Sequence, residues 1–196
     1  MFGRVLSLFD ESGMWSQPYA ETGSVVTRVD LSRGEDVRNL PFPVESSDVV
    51  LAAPPCQHFA ASGASHWRRK GNEALFEGLA LVDATMRIIA MHRPAVWAIE
   101  NPVGRLTDYL GPPRFMFDPW EYAGWADDPE ADRYTKRTCL WGDFIIPEKK
   151  PLVPTEDGKK KIVNMPDSAS RRRLRSITPQ GFARAFAAAN PPIGRA

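Results

Sequence analysis

The sequence predicts an α/β fold in which a mostly parallel central sheet carries helices on both faces. Short apolar runs bounded by turn residues alternate with one long helical pattern, which is typical of stacked β-α-β units. The chain has 196 residues, 43% of them hydrophobic, which is enough for one compact domain with a proper core. No apolar run approaches the roughly 20 residues that a bilayer span requires, and the N-terminus lacks the pattern of a secretion signal.

Each predicted element follows from its local pattern. The five predicted strands are residues 5–9, 25–30, 48–52, 95–99 and 138–141. A long helix is expected from Asn72, as its N-cap, to the Arg93-Pro94 pair, because apolar residues recur at three- and four-residue spacing. Those apolar residues, expected to lie on the sheet, are Leu75, Phe76, Leu79, Val82, Met86, Ile89 and Ala90. A last helix is expected from the Thr178-Pro179 pair to Asn190.

Two stretches show neither the strand period nor the helix period in their apolar residues. Residues 111–133 are rich in proline, aromatic and acidic side chains, which predicts a long irregular loop. Residues 143–177 combine prolines with most of the basic clusters, which predicts either an extended arm or a disordered loop.

The charge of the chain is unevenly distributed although its net value is only +1. Residues 1–140 hold 14 basic and 19 acidic side chains, whereas residues 141–196 hold 11 basic and 5 acidic ones. The C-terminal part is therefore the candidate for contact with a polyanion. Because such runs are equally often plain solvated surface, the clusters alone leave both interpretations open.

Chemistry-bearing residues fall at the carboxyl ends of predicted strands, where open α/β sheets bind ligands. Pro54-Pro55-Cys56-Gln57 follows one apolar strand, and Glu100-Asn101-Pro102 follows another. A lone cysteine after a strand is more often a small buried residue than a nucleophile. Here two prolines fix the backbone before the cysteine, and a strand-end carboxylate would otherwise be an unpaired charge. The combination favours a nucleophilic thiol and a carboxylate in one cleft.

With these motifs the chain resembles the DNA cytosine-5 methyltransferases, which depend on S-adenosylmethionine. The family's catalytic Pro-Cys-Gln loop matches Pro55-Cys56-Gln57, and its Glu-Asn-Val strand end matches Glu100-Asn101-Pro102. The resemblance implies a Rossmann-like methyltransferase fold and transfer of a methyl group to C5 of cytosine in DNA. It further implies a covalent bond from Cys56 to C6, with Glu100 stabilising the charge on the ring.

The resemblance also implies a division of the chain and a cellular setting. Residues 1–142 would form the catalytic and cofactor-binding core, residues 143–177 a basic arm in place of a target-recognition domain, and residues 178–196 a helical segment packing back on the core. Compact enzymes of this kind resemble proteins of phages or mobile elements. We therefore expect the cytoplasm of a bacterial, archaeal or phage-infected cell as the location.

The family's cofactor-binding motifs are matched in part. Residues 9–14 echo its Phe-x-Gly-x-Gly-Gly start, Asp30 matches the acid that holds the ribose hydroxyls, and Asp36 matches the acid that receives the adenine amino group. The implied cofactor-binding residues are Phe9, Ser12, Gly13, Asp30, Asp36, Val37 and Pro55. Asp10 and Glu11 replace the family's small residues, which puts either the cofactor affinity or the identity of the sulfonium donor in question.

Two further stretches supply cations. The family's Gln-x-Arg-x-Arg motif is matched only loosely by residues 134–138, which makes Arg137 the first and Lys136 the second candidate for a catalytic cation, against an ordinary basic strand edge as the alternative. The loop after the nucleophile suits phosphates and an unstacked base. The implied nucleic-acid-binding residues are Gln57, Trp67, Arg68, Arg69, Lys70, Arg171, Arg172 and Arg173. His58 and His66 match no common zinc spacing with Cys56, and we expect no metal.

The chain departs from the family in length between its motifs. Only about 40 residues separate Thr138 from Thr178, where family members carry a longer target-recognition domain. We therefore expect relaxed or short sequence preference, an exposed or single-stranded substrate, or a protein partner that supplies recognition. The alternatives are a catalytically degenerate subunit that binds nucleic acid or activates a partner, or an enzyme acting on RNA or a free pyrimidine nucleotide.

Overall fold

The computed structural model describes residues 2–43, 45–160 and 175–193. The strands of its sheet are β1 (Arg4–Leu8), β2 (Val25–Val29), β3 (Val49–Ala52), β4 (Val96–Pro102), β5 (Phe115–Phe117) and β6 (Thr138–Asp143). Their order in the sheet is β2-β1-β3-β4-β6-β5. The first four of these are mutually parallel, and β6 runs antiparallel to both of its neighbours. The predicted mostly parallel sheet is confirmed.

Helices cover both faces of this sheet, as expected for an α/β fold of the Rossmann-like class. They are α1 (Gln17–Glu21), α2 (Trp67–His92), α3 (Thr107–Leu110) and α4 (Gln180–Ala189). Helix α2 packs its Val82 and Ile88 on one face of the sheet, and Phe182 and Phe186 of α4 pack on the other. Strand β3 is buried along its whole length, which is typical of a parallel strand between two helical layers.

The fourth strand runs further than its sequence pattern indicates. The apolar run predicts an end at Glu100, whereas β4 continues to Pro102. Its parallel neighbour stops at Ala52, which pairs with Ile99, but the antiparallel partner β6 extends the ladder and pairs Glu100 with Leu140. Glu100 therefore lies inside a strand, and the strand rather than a loop fixes its direction.

The long helix also begins earlier than predicted. It starts at Trp67 and is interrupted at Gly71, whose φ of 73° and ψ of −175° are accessible to glycine at little cost. Asn72, the predicted N-cap, comes directly after this break. The expectation that Phe76 faces the sheet is wrong, because its side chain is 63% exposed and the buried face of α2 passes through Leu75, Gly78 and Val82 instead.

The stretch at residues 111–133 is more ordered than the expected irregular loop. Residues Phe115–Phe117 form β5 along β6, and Asp118 with Glu121 makes a reciprocal capping box at the next turn. A three-residue strand is too short to show a period, which explains why the pattern does not reveal it. The stretch closes on α4, where the backbone N–H of Gly181 donates to Asp132 Oδ2 over 2.7 Å.

The first part of the expected arm is extended and packed against the core. Lys150 O accepts from Gly124 N over 2.9 Å, and Leu152 N donates to Trp120 O over 2.9 Å. The ammonium of Lys150 lies 3.5 Å from the centre of the Trp125 ring. The predicted DNA-binding residues Arg171, Arg172 and Arg173 lie outside the described residues. In the part of the chain that the structure describes, no helix is long and apolar enough to cross a membrane.

Candidate active site

The nucleophile candidate sits at the carboxyl end of β3, directly beside β4. Ala53-Pro54-Pro55 leaves the strand, and Cys56 opens a 3-10 turn, Cys56–His58. The buried side chain of Asn101 on β4 ties the two strand ends together, because its Nδ2 donates to Pro54 O over 2.8 Å. Two prolines and this hydrogen bond leave the backbone before Cys56 little freedom.

Glu100 presents a carboxylate that the fold buries and leaves incompletely paired. The residue is only 6% exposed, and its Oε1 accepts no hydrogen bond from the residues that the structure describes. Lys136 Nζ lies 3.8 Å from that oxygen, an ion pair beyond hydrogen-bond distance. Burial raises the pKa of Glu100, and the charge of Lys136 opposes that rise. A buried carboxyl group with spare hydrogen-bonding capacity is a candidate for contact with a ligand.

The thiol of Cys56 is half-buried and responds to the same charges. Burial is the main cause that raises its pKa, and the carboxylate of Glu100 raises it further. The cations of Arg175 and Lys136 act in the opposite direction. Arg175 also donates from Nη2 to Ser62 Oγ over 2.5 Å, which joins the chain before α4 to the loop after the nucleophile. Burial and the Glu100 carboxylate thus disfavour the thiolate of Cys56, whereas the two cations favour it.

The two cation candidates before β6 point in different directions. Lys136 is held by Asp118 Oδ1, which accepts from its backbone N over 2.8 Å, and by Ile177 O, which accepts from its Nζ over 3.1 Å. Its side chain is 8% exposed and reaches Glu100. Arg137 pairs with Asp118 Oδ2 at 3.2 Å, and its side chain is 52% exposed. Lys136 is therefore the one of these two cations that lies beside Glu100, because neighbouring residues of an extended chain face opposite sides.

The loop after the nucleophile carries the other predicted contacts. Gln57, Arg68, Arg69 and Lys70 are exposed, whereas Trp67 is half-buried. Lys70 Nζ donates to Gln57 O over 2.9 Å, which joins the first turn of α2 to the Cys56 turn. The exposed ammonium of Lys70 therefore lies beside the Cys56 turn.

A cavity of about 260 Å³ opens at the carboxyl ends of β1, β2 and β3. Its walls hold four of the predicted cofactor residues, Phe9, Ser12, Asp30 and Pro55, together with Asp10, Glu11, Trp15, Ala53, Ser176, Ile177 and Thr178. Gly13 shapes the loop that bounds it, since its φ of 72° is a backbone conformation that favours glycine. Asp36 pairs with Arg38 and Val37 is buried in the core, and neither lines this cavity.

The three carboxylates that line the cavity differ in their hydrogen bonds and exposure. Asp10 Oδ2 accepts hydrogen bonds from Ser7 Oγ over 2.8 Å, from Ser16 Oγ over 2.7 Å and from Ser16 N over 3.2 Å. It therefore stabilises the loop after β1, which explains the acid where the family uses small residues. Asp30 Oδ1 accepts from Ser32 N over 2.8 Å. Glu11 is exposed at the cavity wall.

Comparison with known proteins decides which family has this arrangement. No family model matches the chain. Over 195 aligned residues it is 33% identical to the "Probable DNA (cytosine-5)-methyltransferase" of Frog virus 3 (isolate Goorha), an alignment that covers 89% of this chain and 84% of the viral protein. The chain belongs to the DNA (cytosine-5)-methyltransferase family. The predicted family resemblance is confirmed.

Two solved methyltransferase structures are also similar to this family member. One is named as a DNA modification methyltransferase encoded within an E. coli prophage, with a TM-score of 0.47, 16% identity and coverage of 85% of this chain. The other is the Entamoeba histolytica methyltransferase EhMeth, with a TM-score of 0.43, 12% identity and coverage of 87% of this chain. The methyltransferase chain described here spans only 56% and 62% of those two chains.

Several site residues of this methyltransferase carry no signal in the sequence. Trp15 forms a buried wall of the cavity, and its Nε1 has no partner among the described residues. Ser176 and Ile177 fall within the expected arm, yet they line the cavity, so the last residues of that arm belong to the site. A contact made by folding back over more than a hundred residues has no local pattern from which to read it.

Among the residues that the structure describes, no group of three or more histidine, cysteine, aspartate or glutamate side chains could hold a metal ion.

Proposed function

We propose that this chain transfers the methyl group of S-adenosylmethionine to C5 of cytosine in DNA, with Cys56 as the nucleophile and Glu100 as its partner. The observation that carries the proposal is the pairing of a half-buried thiol with a buried carboxyl group whose Oε1 is unused, at adjacent strand ends beside the cavity. Membership of the family supports the same substrate, because the viral relative is named for cytosine-5 methylation of DNA.

The cavity suits S-adenosylmethionine by the chemistry of its walls. The carboxylates of Asp10, Glu11 and Asp30 are complementary to a ligand with sulfonium and ammonium cations, and the rings of Phe9 and Trp15 suit a flat base. Asp30 is the candidate for the ribose hydroxyls, because only its Oδ1 accepts a hydrogen bond from the described residues. When bound, S-adenosylmethionine supplies an electrophilic methyl group and leaves as S-adenosylhomocysteine.

The other predicted cofactor residues differ in whether they line the cavity. Ser12 and Pro55 line the cavity, and Gly13 keeps its loop open. Asp36 and Val37 remain predicted contacts for the adenine, although the carboxylate of Asp36 is held by Arg38.

We assign the steps of methyl transfer to Cys56 and Glu100 as follows. Cys56 loses its proton, and its sulfur forms a bond to C6 of cytosine while the C5–C6 electron pair moves towards C5. Glu100, protonated or hydrogen-bonded at N3, stabilises the negative charge that develops on the ring. C5 then gains the methyl group, a base removes the C5 proton, and the C6–S bond breaks to release the Cys56 thiolate. The raised pKa of Glu100 favours a proton on that carboxyl group.

Lys136 acts on both partners of the step. Its ammonium is 3.8 Å from Glu100, and its charge favours the Cys56 thiolate. We place it ahead of Arg137, whose guanidinium pairs with Asp118 and is half-exposed. Arg137 remains a candidate for contact with a phosphate of the substrate.

We propose that DNA contacts the exposed loop after Cys56. Arg68, Arg69 and Lys70 would neutralise phosphates, and Trp67 and Gln57 remain predicted contacts for an extruded cytosine. Arg171, Arg172 and Arg173 remain predicted phosphate contacts. Phosphate contacts give affinity without a base code, so we expect relaxed or short sequence preference, with a protein partner as the other source of recognition.

The direct test measures transfer of labelled methyl from S-adenosylmethionine to four acceptors: single-stranded DNA, duplex DNA, RNA and dCMP. Transfer to DNA that Cys56→Ala abolishes and Cys139→Ala retains is the expected result. Transfer confined to RNA or dCMP overturns the acceptor. Absence of transfer to every acceptor, with S-adenosylhomocysteine still raising the melting temperature, favours a nucleic-acid-binding or partner-activating subunit instead.

The covalent adduct has its own test. An oligonucleotide with 5-fluorocytosine at the target position retains the protein after methyl transfer, because C5 then carries fluorine and methyl and has no proton to lose. A denaturation-resistant complex that forms with the wild-type chain and not with Cys56→Ala is expected. Methyl transfer to ordinary cytosine without such a complex would contradict the adduct.

A further inference from the structure

The three residues after β4 dock the loop that follows the nucleophile. Val103 O accepts from Ala61 N over 2.9 Å, and Arg105 N donates to Phe59 O over 2.9 Å. Between them, a Cβ at Gly104 would lie only 1.9 Å from Phe59 O, so only glycine fits there. The strand that carries Glu100 thus continues directly into a segment that holds the loop of Cys56.

The side chain of Arg105 completes this connection. Its Nε donates to His58 O over 2.8 Å, at the end of the Cys56–His58 turn. Its guanidinium carbon lies 4.4 Å from the centre of the Trp67 ring, at the first residue of α2. The same guanidinium therefore contacts the turn of Cys56 and the helix that follows it.

This cluster is not arranged for stability alone. Arg105 Nη2, His58 Nδ1 and Trp67 Nε1 are buried without a hydrogen-bond partner among the described residues. Buried polar atoms without partners destabilise a fold, and in native proteins they are few. The Arg105 guanidinium stacks on a ring and donates to one carbonyl, and its Nη2 is unused. This arrangement is better explained by a functional role beside Cys56 than by a contribution to stability.

We propose that Arg105 is a positioning residue that holds the Cys56 turn against the Glu100 strand through the His58 carbonyl and the Trp67 ring. The effect of this geometry on methyl transfer rests on the proposed function, whereas the position of the turn does not. Because Arg105 lies five positions after Glu100, one stretch of chain carries the carboxyl group and fixes the thiol opposite it. Without Arg105 the turn would open, and burial of the thiol, the main cause of its raised pKa, would be lost.

The test follows alkylation of both cysteines by iodoacetamide, with mass spectrometry of each site. Buried Cys139 reports global unfolding, whereas Cys56 reports opening of its turn. In Arg105→Gln we expect Cys56 to react roughly ten- to a hundredfold faster near neutral pH, the range that loss of a hydrogen bond from a charged donor produces, with Cys139 unchanged. The pH profile of Cys56 should shift towards the ordinary pKa of a thiol, and Arg105→Lys should restore part of the protection.

Arg87→Gln is the matched control, since the guanidinium of Arg87, on α2, likewise donates to backbone carbonyls, those of Leu40 over 3.3 Å and Arg38 over 3.2 Å. It should leave the Cys56 rate unchanged. If Arg105→Gln does not fold, Trp67→Leu, which removes the stacked ring, is assayed in the same way. Equal acceleration of both cysteines, or an unchanged Cys56 rate, would overturn the positioning role.

Kinetics then connect the geometry with the reaction. We expect kcat of Arg105→Gln to fall roughly a hundredfold, as misplacement of a reacting group by an ångström can cause, with an unchanged KM for S-adenosylmethionine. A rise in that KM at constant kcat contradicts the role. The alkylation result needs no methyl transfer, so it still decides the positioning role if the proposed reaction itself fails.

Discussion

Two carboxyl groups of this molecule are buried to the same extent but differ in their hydrogen-bond partners. Asp132 and Glu100 are each 6% exposed. Asp132 Oδ2 accepts from the N–H of Gly181 in the first turn of α4, whereas Glu100 Oε1 accepts nothing from the described residues. The first arrangement stabilises a helix start, and the second leaves a destabilising group in place. The fold therefore satisfies polar atoms where they hold the chain together and leaves them free at the candidate active site.

A pair of buried asparagines repeats the contrast. The side chain of Asn190 is fully used, because its Oδ1 accepts from Ile145 N over 2.6 Å and its Nδ2 donates to Ile145 O over 2.9 Å and to Phe186 O over 3.0 Å. Asn101 donates to Pro54 O, but its Oδ1 has no partner in the described chain. The two residues are equally buried, at 0% and 1% exposed, so burial does not explain the difference.

The largest expected effect comes from replacing the incompletely paired carboxyl group of Glu100 by an amide. Glu100→Gln should lower kcat for methyl transfer by roughly a hundred- to a thousandfold, the range for loss of one group that stabilises developing charge. Its melting temperature at pH 7 should change little, because removal of the buried, incompletely paired carboxyl charge is offset by loss of the counter-ion of buried Lys136. Methyl transfer and thermal unfolding of the same preparation check both points. Near-normal activity would contradict the role of Glu100.

The pH dependence of stability sharpens that prediction. Burial raises the pKa of Glu100 in the folded chain, so folding retains its proton. The contribution of Glu100 is complete below its ordinary pKa and is lost as the pH rises through the folded value. The advantage of Glu100→Gln over the wild type should therefore grow as the pH increases from the acid range. An advantage that is independent of pH would show that the carboxyl group is not the cause.

The opposite result is expected at the paired carboxylate. Asp132→Ala should reduce the free energy of unfolding by about 1–3 kcal/mol, because the N–H of Gly181 then loses its buried acceptor. The activity per folded molecule should be unchanged. Asp127→Ala is the matched control, since exposed Asp127 pairs with Arg184 of the same helix and should matter by less than about 1 kcal/mol. Denaturant unfolding compares the two, and a larger loss at Asp127 would contradict the assignment.

Much of the fold is predictable from sequence, for a reason that these two regions make clear. The parallel strands and α2 are visible because burial on both faces or on one face leaves a period in the chain. Cys56 and Glu100 are visible because chemistry-bearing types follow apolar runs. The contribution of Ile177 is not visible, since its carbonyl holds Lys136 across 41 positions of sequence. Nor does any pattern show that Glu100 lies inside β4, because that depends on the register of β6.

A smaller effect concerns the reactivity of the Cys56 thiol. The carboxylate of Glu100 raises the pKa of Cys56, and the cation of Lys136 lowers it. Glu100→Gln should therefore speed alkylation of Cys56 at neutral pH, and Lys136→Met should slow it, each by up to roughly tenfold, the equivalent of one pKa unit. Alkylation rates between pH 6 and 10 in a Cys139→Ala background measure both. Changes of the same sign in the two variants would contradict the charge assignment.

The smallest expected effect separates the two neighbouring cations. Arg137 is half-exposed and pairs with Asp118, and its charge is not among the causes that shift the pKa of Cys56. Arg137→Gln should therefore change the alkylation rate of Cys56 by no more than about twofold and the free energy of unfolding by less than about 1 kcal/mol, as exposed ion pairs do. Its affinity for DNA, measured by fluorescence anisotropy against salt, should instead lose slope if the guanidinium meets a phosphate. A change in Cys56 reactivity as large as that of Lys136→Met would restore Arg137 to the first rank that its sequence motif gives it, because only a charge close to the thiol can alter its reactivity so strongly.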